Sequence, residues 1–276
     1  MERLPPPVVT HPLPTVEVVS GAERLEPRRI PFLQGQVALF SVQAPGKTTG
    51  NEDAAALISI DDRNGLIVVA DGLGGHADGA LASRTVVDEL IAATRLAAAG
   101  GGGLREAVLH GIDSANQAII ALGNGAATTL AVTEISAAGM RTYHVGDSSI
   151  LVTGQRGLLK QQTIQHSPIG HAVESGLLDE AGAMKSKQRH LVSNVVGSPD
   201  MRVELGPLRR LATYDTVVMA SDGLADNLMV EAIIGHVRKG PLLRAAASLM
   251  SACLETMQGG GHPDDLTVVL YRPTGR

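Results

Sequence analysis

Aspartates stand at the ends of several short apolar runs in this sequence. Asp71 and Asp222 each close such a run and are followed by glycine, while Asp147 closes a weaker one. Asp264, with Asp265 behind it, stands directly before another run. Short continuous runs of Val, Ile and Leu are typical of buried strands. One Asp-Gly pair after a strand is an ordinary turn. Carboxylates from several converging strand ends, however, repel one another unless cations lie between them. The repetition therefore predicts a site for hard metal ions.

A second acidic pair, Glu52 and Asp53, stands directly before a predicted strand over residues 54–60. The Asn-Gly dipeptide at residues 64–65 is typical of a hairpin turn and leads into the strand that ends at Asp71. A hairpin places the start of one strand beside the end of the next. The spacing therefore predicts that three carboxylates lie together.

Oxygen ligands without clustered Cys or His favour Mg²⁺ or Mn²⁺ over zinc or copper. Two such ions that share a carboxylate would activate a water molecule and hold the oxygens of a phosphate monoester. His76, in the glycine-rich loop after Asp71, is placed to protonate the leaving alkoxide. The residues therefore predict hydrolysis of a phosphate ester without a covalent nucleophile. Calcium binding without catalysis is an alternative, although the sequence has no Asp-x-Asp-x-Asp-Gly loop.

Composition limits the classes of partner. The chain has 276 residues, of which 44% are hydrophobic and 18% charged, as in ordinary globular proteins. The absence of Trp and the net charge of -5 argue against nucleic acid as a partner, and the single Cys253 excludes an internal disulfide. No apolar run is long enough to cross a bilayer. Prolines 5–7 lie where a signal peptide needs an apolar core, so we predict a cytoplasmic protein without a membrane partner.

The order of the predicted elements indicates an α+β fold in which antiparallel sheets are covered by helices. Residues 1–30 are Pro-rich and predict an extended tail, with an edge strand through 16–19 as the alternative. Residues 31–276 predict one domain. Residues 163–190 lose the regular pattern and predict a flap with a short helix at 176–183. Longer helices are predicted over 80–98, 104–122, 229–237 and 241–257.

Five motifs together resemble the metal-dependent PP2C-type protein serine/threonine phosphatases, and most of all their bacterial branch. The resemblance spans residues 35–271, and the motifs occur in the order and spacing of that family. It implies a four-layer αββα sandwich with two antiparallel sheets between helical layers and a dinuclear metal centre at one end. The motifs are Asn51-Glu52-Asp53, Asp71-Gly-Leu-Gly-Gly-His76, Gly146-Asp147-Ser148, Ser221-Asp222-Gly223 and Asp264-Asp265-Leu266-Thr267.

The resemblance also implies a role for each residue. Asp71 would bridge two Mg²⁺ or Mn²⁺ ions, and the carbonyl of Gly72 would help to hold the first. The second ion would be held, directly or through water, by Glu52, Asp222 and Asp264. Asp53 would orient metal-bound water, His76 would be the general acid, and Asp147 would serve a third, weaker ion.

One departure from the family concerns the substrate phosphate. The family usually has an arginine four residues before the glutamate, and this chain has Thr48 there. Thr48 offers one hydrogen bond without charge, and the neighbouring Lys47 offers only a point charge. Arg84 or Arg189 is an alternative source of the missing guanidinium.

The expected substrate is a protein phosphorylated by a serine/threonine kinase. Two alternatives stay open from the residues: a pseudophosphatase that serves as a binding module, because the arginine is missing, and a phosphatase of a small phosphate ester. Ser149 and Gln165 also depart from the family pattern, the second of them within the flap.

Overall fold

The computed structural model of the chain describes residues 14–73 and 77–274. Two antiparallel sheets form its centre. The first has the strand order β1-β4-β5-β7-β8-β11, with the short β6 paired to β5. Its strands are β1 (Thr15–Ser20), β4 (Asp53–Ser59), β5 (Gly65–Leu73), β6 (Ala127–Thr128), β7 (Leu130–Ser136), β8 (Gly139–Val145) and β11 (Glu204–Leu205).

The second sheet has the order β10-β9-β12-β13-β3-β2. Its strands are β2 (Arg24–Phe32), β3 (Gly35–Val42), β9 (Ser149–Thr153), β10 (Leu159–Gln162), β12 (Thr216–Ala220) and β13 (Leu266–Pro273). The helices are α1 (Ala77–Gly100), α2 (Leu104–Leu122), α3 (Pro168–Glu174), α4 (Glu180–Lys185), α5 (Asp222–Ala225), α6 (Val230–Val237) and α7 (Leu242–Gln258).

Three apolar layers separate four layers of secondary structure. Along β5, Leu66 and Val68 pack with α1 and α2, whereas Ile67 and Val69 pack between the sheets. Successive side chains of a strand point to opposite faces, so a strand buried on both faces reads as a continuous apolar run. The second sheet packs its outer face against α6 and α7. The predicted αββα sandwich is therefore confirmed.

Two regions differ from the sequence-based expectation. Residues 15–32 form the edge strands β1 and β2, so the predicted domain boundary at residue 30 falls inside β2. Within the flap, helices occupy Pro168–Glu174 and Glu180–Lys185 instead of residues 176–183. Ser167 and Asp179 cap them by accepting hydrogen bonds from Gly170 N and Gly182 N. Among the helices of residues 14–73 and 77–274, none is both long and apolar enough to cross a membrane.

Candidate metal centre

The hairpin of β4 and β5 brings the first carboxylates together. Asp53 lies directly opposite Asp71 in the register of the two strands. Glu52 precedes Asp53 and is fixed by its backbone, because its carbonyl accepts a hydrogen bond of 2.6 Å from Ser83 Oγ on α1. The predicted juxtaposition of Glu52, Asp53 and Asp71 is thus present in the structure.

The second sheet supplies carboxylates from its two central strands. Asp222 follows β12 and begins α5, while Asp264 stands just before β13. Ser221 joins both sheets, because its N–H donates to Thr267 O at 3.1 Å and its Oγ donates to Asp53 Oδ2 at 2.8 Å. The ends of β4, β5, β12 and β13 therefore meet at one edge of the sandwich.

Asp147 lies where the chain passes from β8 in the first sheet to β9 in the second. Gly146 allows this turn, since its φ is +101° and a Cβ there would lie 2.7 Å from Thr129 Cβ. Thr129 connects the turn to the centre: its Oγ1 accepts a hydrogen bond from Asp71 N at 3.1 Å and is 2.6 Å from Ser148 Oγ.

Two glycines allow α1 to approach this edge closely. A Cβ on Gly72 would lie 2.1 Å from Gly79 O. A Cβ on Gly79 would lie 2.5 Å from Glu52 Oε1 and 2.9 Å from Gly72 O. All three distances are too short for a Cβ atom, so glycine is needed at each position if Glu52 and the Gly72 carbonyl are to lie together.

The carboxylates are in an environment that disfavours their charge. Burial, followed by the charge of Asp265, raises the pKa of Asp53 to about 7. Burial, followed by the charge of Asp226, raises the pKa of Asp147 to about 7. Burial likewise raises the pKa of Asp71 and that of Asp222 well above the ordinary value, with the charge of a neighbouring carboxylate second in each case. The same groups would be stabilised in their ionised form by divalent cations among them.

Unpartnered oxygens show that the residues fit such ions. Among the described residues, the buried Oδ1 atoms of Asp53, Asp147 and Asp222 have no hydrogen-bond partner. A buried polar atom without a partner costs free energy of about 1–3 kcal/mol. Because these atoms belong to carboxylates gathered at one edge, oxygen-preferring ions such as Mg²⁺ and Mn²⁺ fit the donor set.

The clustered carboxylates predict a pH dependence of stability without metal. Asp53 and Asp147 keep their protons in the native state up to about pH 7, whereas the ordinary pKa is 3.8. The native state therefore binds more protons than the unfolded state, and stability must fall as the pH rises through this window. His144, whose pKa burial lowers to about 3, acts in the opposite direction below its ordinary value of 6.5.

We expect the melting temperature in EDTA to fall by about 5 °C between pH 6.5 and pH 8. Mn²⁺ added at pH 8 should reverse the fall, because the ions stabilise the ionised carboxylates. Circular dichroism at both pH values, with and without Mn²⁺, measures this. A melting temperature that stays constant or rises with pH in EDTA would contradict the expectation.

Asp226 and Asp265 also lie at the edge where the strand ends meet, although the strand-end pattern does not single them out as site residues. The charge of Asp226, after α5, contributes to the raised pKa of Asp147 and to that of Asp222. Asp265 is buried and accepts hydrogen bonds of 2.8 Å from Ala44 N and Glu52 N. The Asp264-Asp265 pair is visible in the sequence, but Asp226 follows no strand and has no such signal.

Lys47 and the two arginines suggested as sources of the missing guanidinium are already paired. Lys47 Nζ lies 2.6 Å from Glu52 Oε2 and 2.6 Å from Asp265 Oδ2, while Thr48 is exposed. Arg84 pairs with Asp88 on α1.

Arg189 also has a carboxylate partner, because its Nε donates to Asp226 Oδ2 at 3.0 Å. Its Nη1 additionally donates to the carbonyls of Met184 and Ser186 in the flap. Arg189 thus connects the flap to the acidic edge. His76 lies outside the described residues, and its predicted role stays a prediction.

A separate group of possible ligands lies beside the Asp147 turn. His144, His166 and Glu204 each offer an atom within 4.8 Å of the others. The Nε2 of His144 donates to Ser148 O at 2.7 Å, which leaves its buried Nδ1 with a lone pair and, within the part of the chain that the structure describes, no partner.

The hydrogen bonds of His166 argue against a metal ion there. Its Nδ1 accepts from Gly146 N at 3.1 Å and from Asn194 Nδ2 at 2.8 Å. The Asn194 amide is oriented by Arg202, whose N–H donates to Asn194 Oδ1. The proton of a neutral His166 ring is therefore on Nε2, where it is donated to Glu204. We interpret the group as a network that holds the base of the flap against the Asp147 turn.

Comparison with known proteins identifies the family. The family model for Protein phosphatase 2C matches residues 46–267. This chain belongs to the protein phosphatase 2C family. The serine/threonine phosphatase stp of Listeria innocua is 25% identical over 229 residues, which cover 80% of this chain and 89% of that protein.

Two solved phosphatase structures share the fold. The serine/threonine phosphatase Stp1 from Staphylococcus aureus matches with a TM-score of 0.74 and 25% identity, covering 91% of this chain and 100% of that one. The catalytic domain of PstP in complex with two manganese ions matches with a TM-score of 0.67 and 26% identity, covering 87% and 98%. The chain is a metal-dependent serine/threonine protein phosphatase, as predicted from the sequence.

Proposed function

We propose that this protein phosphatase 2C acts on proteins phosphorylated by a serine/threonine kinase, with two Mg²⁺ or Mn²⁺ ions held at the edge where the sheets meet. The observation that carries the proposal is a set of buried carboxylate oxygens at the ends of strands from both sheets, none of which has a hydrogen-bond partner among the described residues. When bound, the ions supply an activated water molecule and hold the phosphate oxygens. The cytoplasmic location predicted from the sequence stays a prediction.

The residues of the centre have distinct proposed roles. Asp71 lies opposite Asp53 of the first sheet in the strand register, and the charge of Asp222, at the end of a strand of the second sheet, acts on it. This position suits a ligand shared by both ions. Gly72 would offer its carbonyl beside it, while Glu52, Asp222 and Asp264 would hold the second ion. Asp147, whose Oδ1 has no partner among the described residues, would hold a third.

Asp53 suits the orientation of water. Its Oδ2 accepts the hydrogen bond from Ser221 Oγ, which fixes the carboxylate in place. Its Oδ1 is buried and has no partner among the described residues. This oxygen can accept a hydrogen bond from the attacking water and direct a lone pair of that water toward phosphorus. His76 remains the proposed donor of the proton to the leaving serine or threonine oxygen.

A cavity beside the centre favours a polypeptide over a small phosphate ester as substrate. It has a volume of about 560 Å³ and lies between the flap and the segment from α5 to α6. Ile169, Val173 and Met184 of the flap line it together with Val230, and Asp226 lies at its wall. An apolar cavity next to the acidic edge can accept a side chain that flanks the phosphorylated residue.

The assay that tests the proposal compares two substrates. Purified protein should hydrolyse both para-nitrophenyl phosphate and a phosphothreonine peptide with Mn²⁺, and EDTA should abolish both activities. A lack of Mn²⁺-dependent turnover of either substrate would overturn the proposal. Turnover of para-nitrophenyl phosphate alone would instead assign the enzyme to small phosphate esters.

Phosphate binding should improve when Thr48 is changed to arginine. Thr48 is exposed, carries no charge and directly follows Lys47, which pairs with Glu52. A guanidinium in its place can hold two phosphate oxygens at once. We expect Thr48→Arg to lower the KM for a phosphothreonine peptide by about threefold to tenfold, with little change in kcat. Initial rates at saturating Mn²⁺ measure both constants.

The neighbouring exposed position provides the control for this substitution. Thr49→Arg adds the same charge one residue further along the loop, and it should leave KM unchanged. Equal KM values for Thr48→Arg and the unmodified protein would show that another group already binds the phosphate.

A further inference from the structure

A buried ion cluster adjoins the proposed metal centre. Lys47 Nζ lies 2.6 Å from Glu52 Oε2 and 2.6 Å from Asp265 Oδ2, and its side chain is only 18% exposed. Asp265, which is 3% exposed, is fixed by the backbone N–H groups of Ala44 and Glu52 at 2.8 Å each. The ammonium group is therefore held in place by one carboxylate with fixed geometry and by a second that the metal centre also needs.

We propose that Lys47 is a positioning residue that competes with the second divalent ion for Glu52 and so weakens the binding of that ion. The inference rests on the proposed dinuclear centre, in which Glu52 and Asp264 serve the second ion. It assigns Lys47 to control of metal occupancy, in addition to any contact that its remaining N–H makes with phosphate.

The two oxygens of Glu52 explain the competition. Oε1 lies against Gly79, where it would be 2.5 Å from an added Cβ, and Oε2 accepts the hydrogen bond from Lys47. An ammonium group bound to Oε2 partly neutralises the Glu52 carboxylate, so less negative charge is left to attract the divalent ion. The positive charge of Lys47 also acts on Asp264, a second of the three carboxylates proposed for that ion. Two of the proposed ligands of one ion are thus partly neutralised by a cation of the chain itself.

Mutual repulsion adds to the effect. A lysine ammonium and a divalent ion within a few ångströms of the same carboxylate repel each other, and low solvent exposure limits screening. Because Asp265 is fixed by two backbone groups, Lys47 cannot move away from the centre without leaving a buried carboxylate unpaired, which is costly. The second ion therefore binds against a resident positive charge.

The test is a calorimetric titration of the metal-free protein with Mn²⁺. We expect two classes of site in the unmodified protein, and we expect Lys47→Met to tighten the weaker Kd by about tenfold or more. Lys47→Gln, which is neutral but retains a hydrogen-bond donor for Asp265, should tighten it in the same direction. Lys47→Gln also keeps the experiment decisive if Lys47→Met does not fold.

The chain offers a matched control in a second lysine–aspartate pair. Lys160 Nζ lies 2.6 and 2.8 Å from the two oxygens of Asp215, which is also 3% exposed. Asp215 likewise accepts a backbone hydrogen bond, from Ala212 N at 3.0 Å. Lys160→Met should lower the melting temperature but leave both Mn²⁺ constants unchanged.

Each alternative gives a different result. An unchanged or weaker Mn²⁺ Kd in Lys47→Met and Lys47→Gln would overturn the inference. A rise in KM at saturating Mn²⁺, with the Mn²⁺ constants unchanged, would also overturn it and assign Lys47 to the substrate phosphate alone. Failure of the unmodified protein to bind any Mn²⁺ would instead overturn the metal centre on which the inference rests.

Discussion

Changing Asp222 to asparagine is expected to lower Mn²⁺-dependent hydrolysis of a phosphothreonine peptide by about a thousandfold while making the metal-free protein more stable. Asp222 stands between β12 and α5, and its buried Oδ1 has no partner among the described residues. Burial and then the charge of Asp147 hold its pKa well above the ordinary range. The ionised Asp222 carboxylate therefore destabilises the folded state, and a bound cation would offset this cost.

Asparagine keeps the shape of this side chain and removes its charge. A neutral amide is a weaker ligand for Mg²⁺ or Mn²⁺ than a carboxylate, so occupancy and turnover should both fall. The repulsion from Asp147 is lost as well, so the melting temperature in EDTA at pH 8 should rise by a few degrees. Opposite changes in activity and stability distinguish a metal ligand from a residue that only supports the fold.

Asp215 provides the comparison for Asp222. It is also a buried aspartate beside β12, but Lys160 Nζ and Ala212 N satisfy its oxygens. Asp215→Asn should therefore destabilise the protein and leave turnover per folded molecule unchanged. If Asp222→Asn lowered the melting temperature in EDTA as Asp215→Asn does, the account of a charge-repelled ligand site would be wrong.

The second large effect is expected from one methyl group on α1. A Cβ at Gly79 would lie 2.5 Å from Glu52 Oε1 and 2.9 Å from both the carbonyl carbon and the oxygen of Gly72. Glu52 can move its carboxylate, but the Gly72 backbone is held in β5 opposite Thr128. Gly79→Ala must therefore displace either Glu52 or the start of α1. Both movements disturb the proposed ligands of the ions.

We expect Gly79→Ala to reduce kcat/KM by about a hundredfold and to weaken Mn²⁺ binding in calorimetry. The magnitude follows from the loss of well-positioned metal contacts, for which a shift of about 1 Å is enough. Raising the Mn²⁺ concentration should recover part of the activity if Glu52 alone has moved. Full activity at low Mn²⁺ would show that the close approach of Gly72 and Gly79 is not needed.

A glycine in another helix separates this effect from helix propensity. Gly235 lies within α6, and a Cβ there would meet no described heavy atom within 4 Å apart from its chain neighbours and the backbone of its own helix. Gly235→Ala should raise stability by up to about 1 kcal/mol, because alanine loses less conformational entropy in a helix. Its phosphatase activity should equal that of the unmodified protein.

The hairpin that carries Glu52, Asp53 and Asp71 is predictable because all of its information is local. The predicted hairpin is present, but its turn is the loop over residues 60–64, where Asp61 Oδ1 accepts hydrogen bonds from Arg63 N and Asn64 N, and Gly65 already lies in β5 opposite Ser59. The resulting register places Asp53 opposite Asp71. The strand ends at Asp222 and Asp264 are also visible, since continuous apolar runs mark strands buried on both faces. The long helices are predictable from the periodic spacing of their apolar residues, which is also local information.

The flap is less predictable because its helices are short and depend on caps. Residues 176–183 have helical composition, but Ser167 caps a helix that ends before this range, and Asp179 caps one that begins inside it and runs beyond its end. Seven or six residues give too little periodicity for a pattern, so local hydrogen bonds decide the boundaries. The edge strand β2 similarly carries prolines and charges, and β1 follows directly on the Pro-rich segment. Both are strands because β3 and β4 offer them partners.

The sequence by itself predicted the cluster of carboxylates and carried the motifs of the family, because strand ends and short motifs are local properties of the chain. The four-layer sandwich was implied by the resemblance to that family. The tertiary structure decided which other charged side chains lie beside these carboxylates. Asp226 and Arg189 reach it from α5 and the flap, and Lys47 reaches it by pairing with Asp265, more than two hundred residues away in sequence. Such pairings depend on how two sheets meet, and electrostatic forces act through space, so no local pattern encodes them.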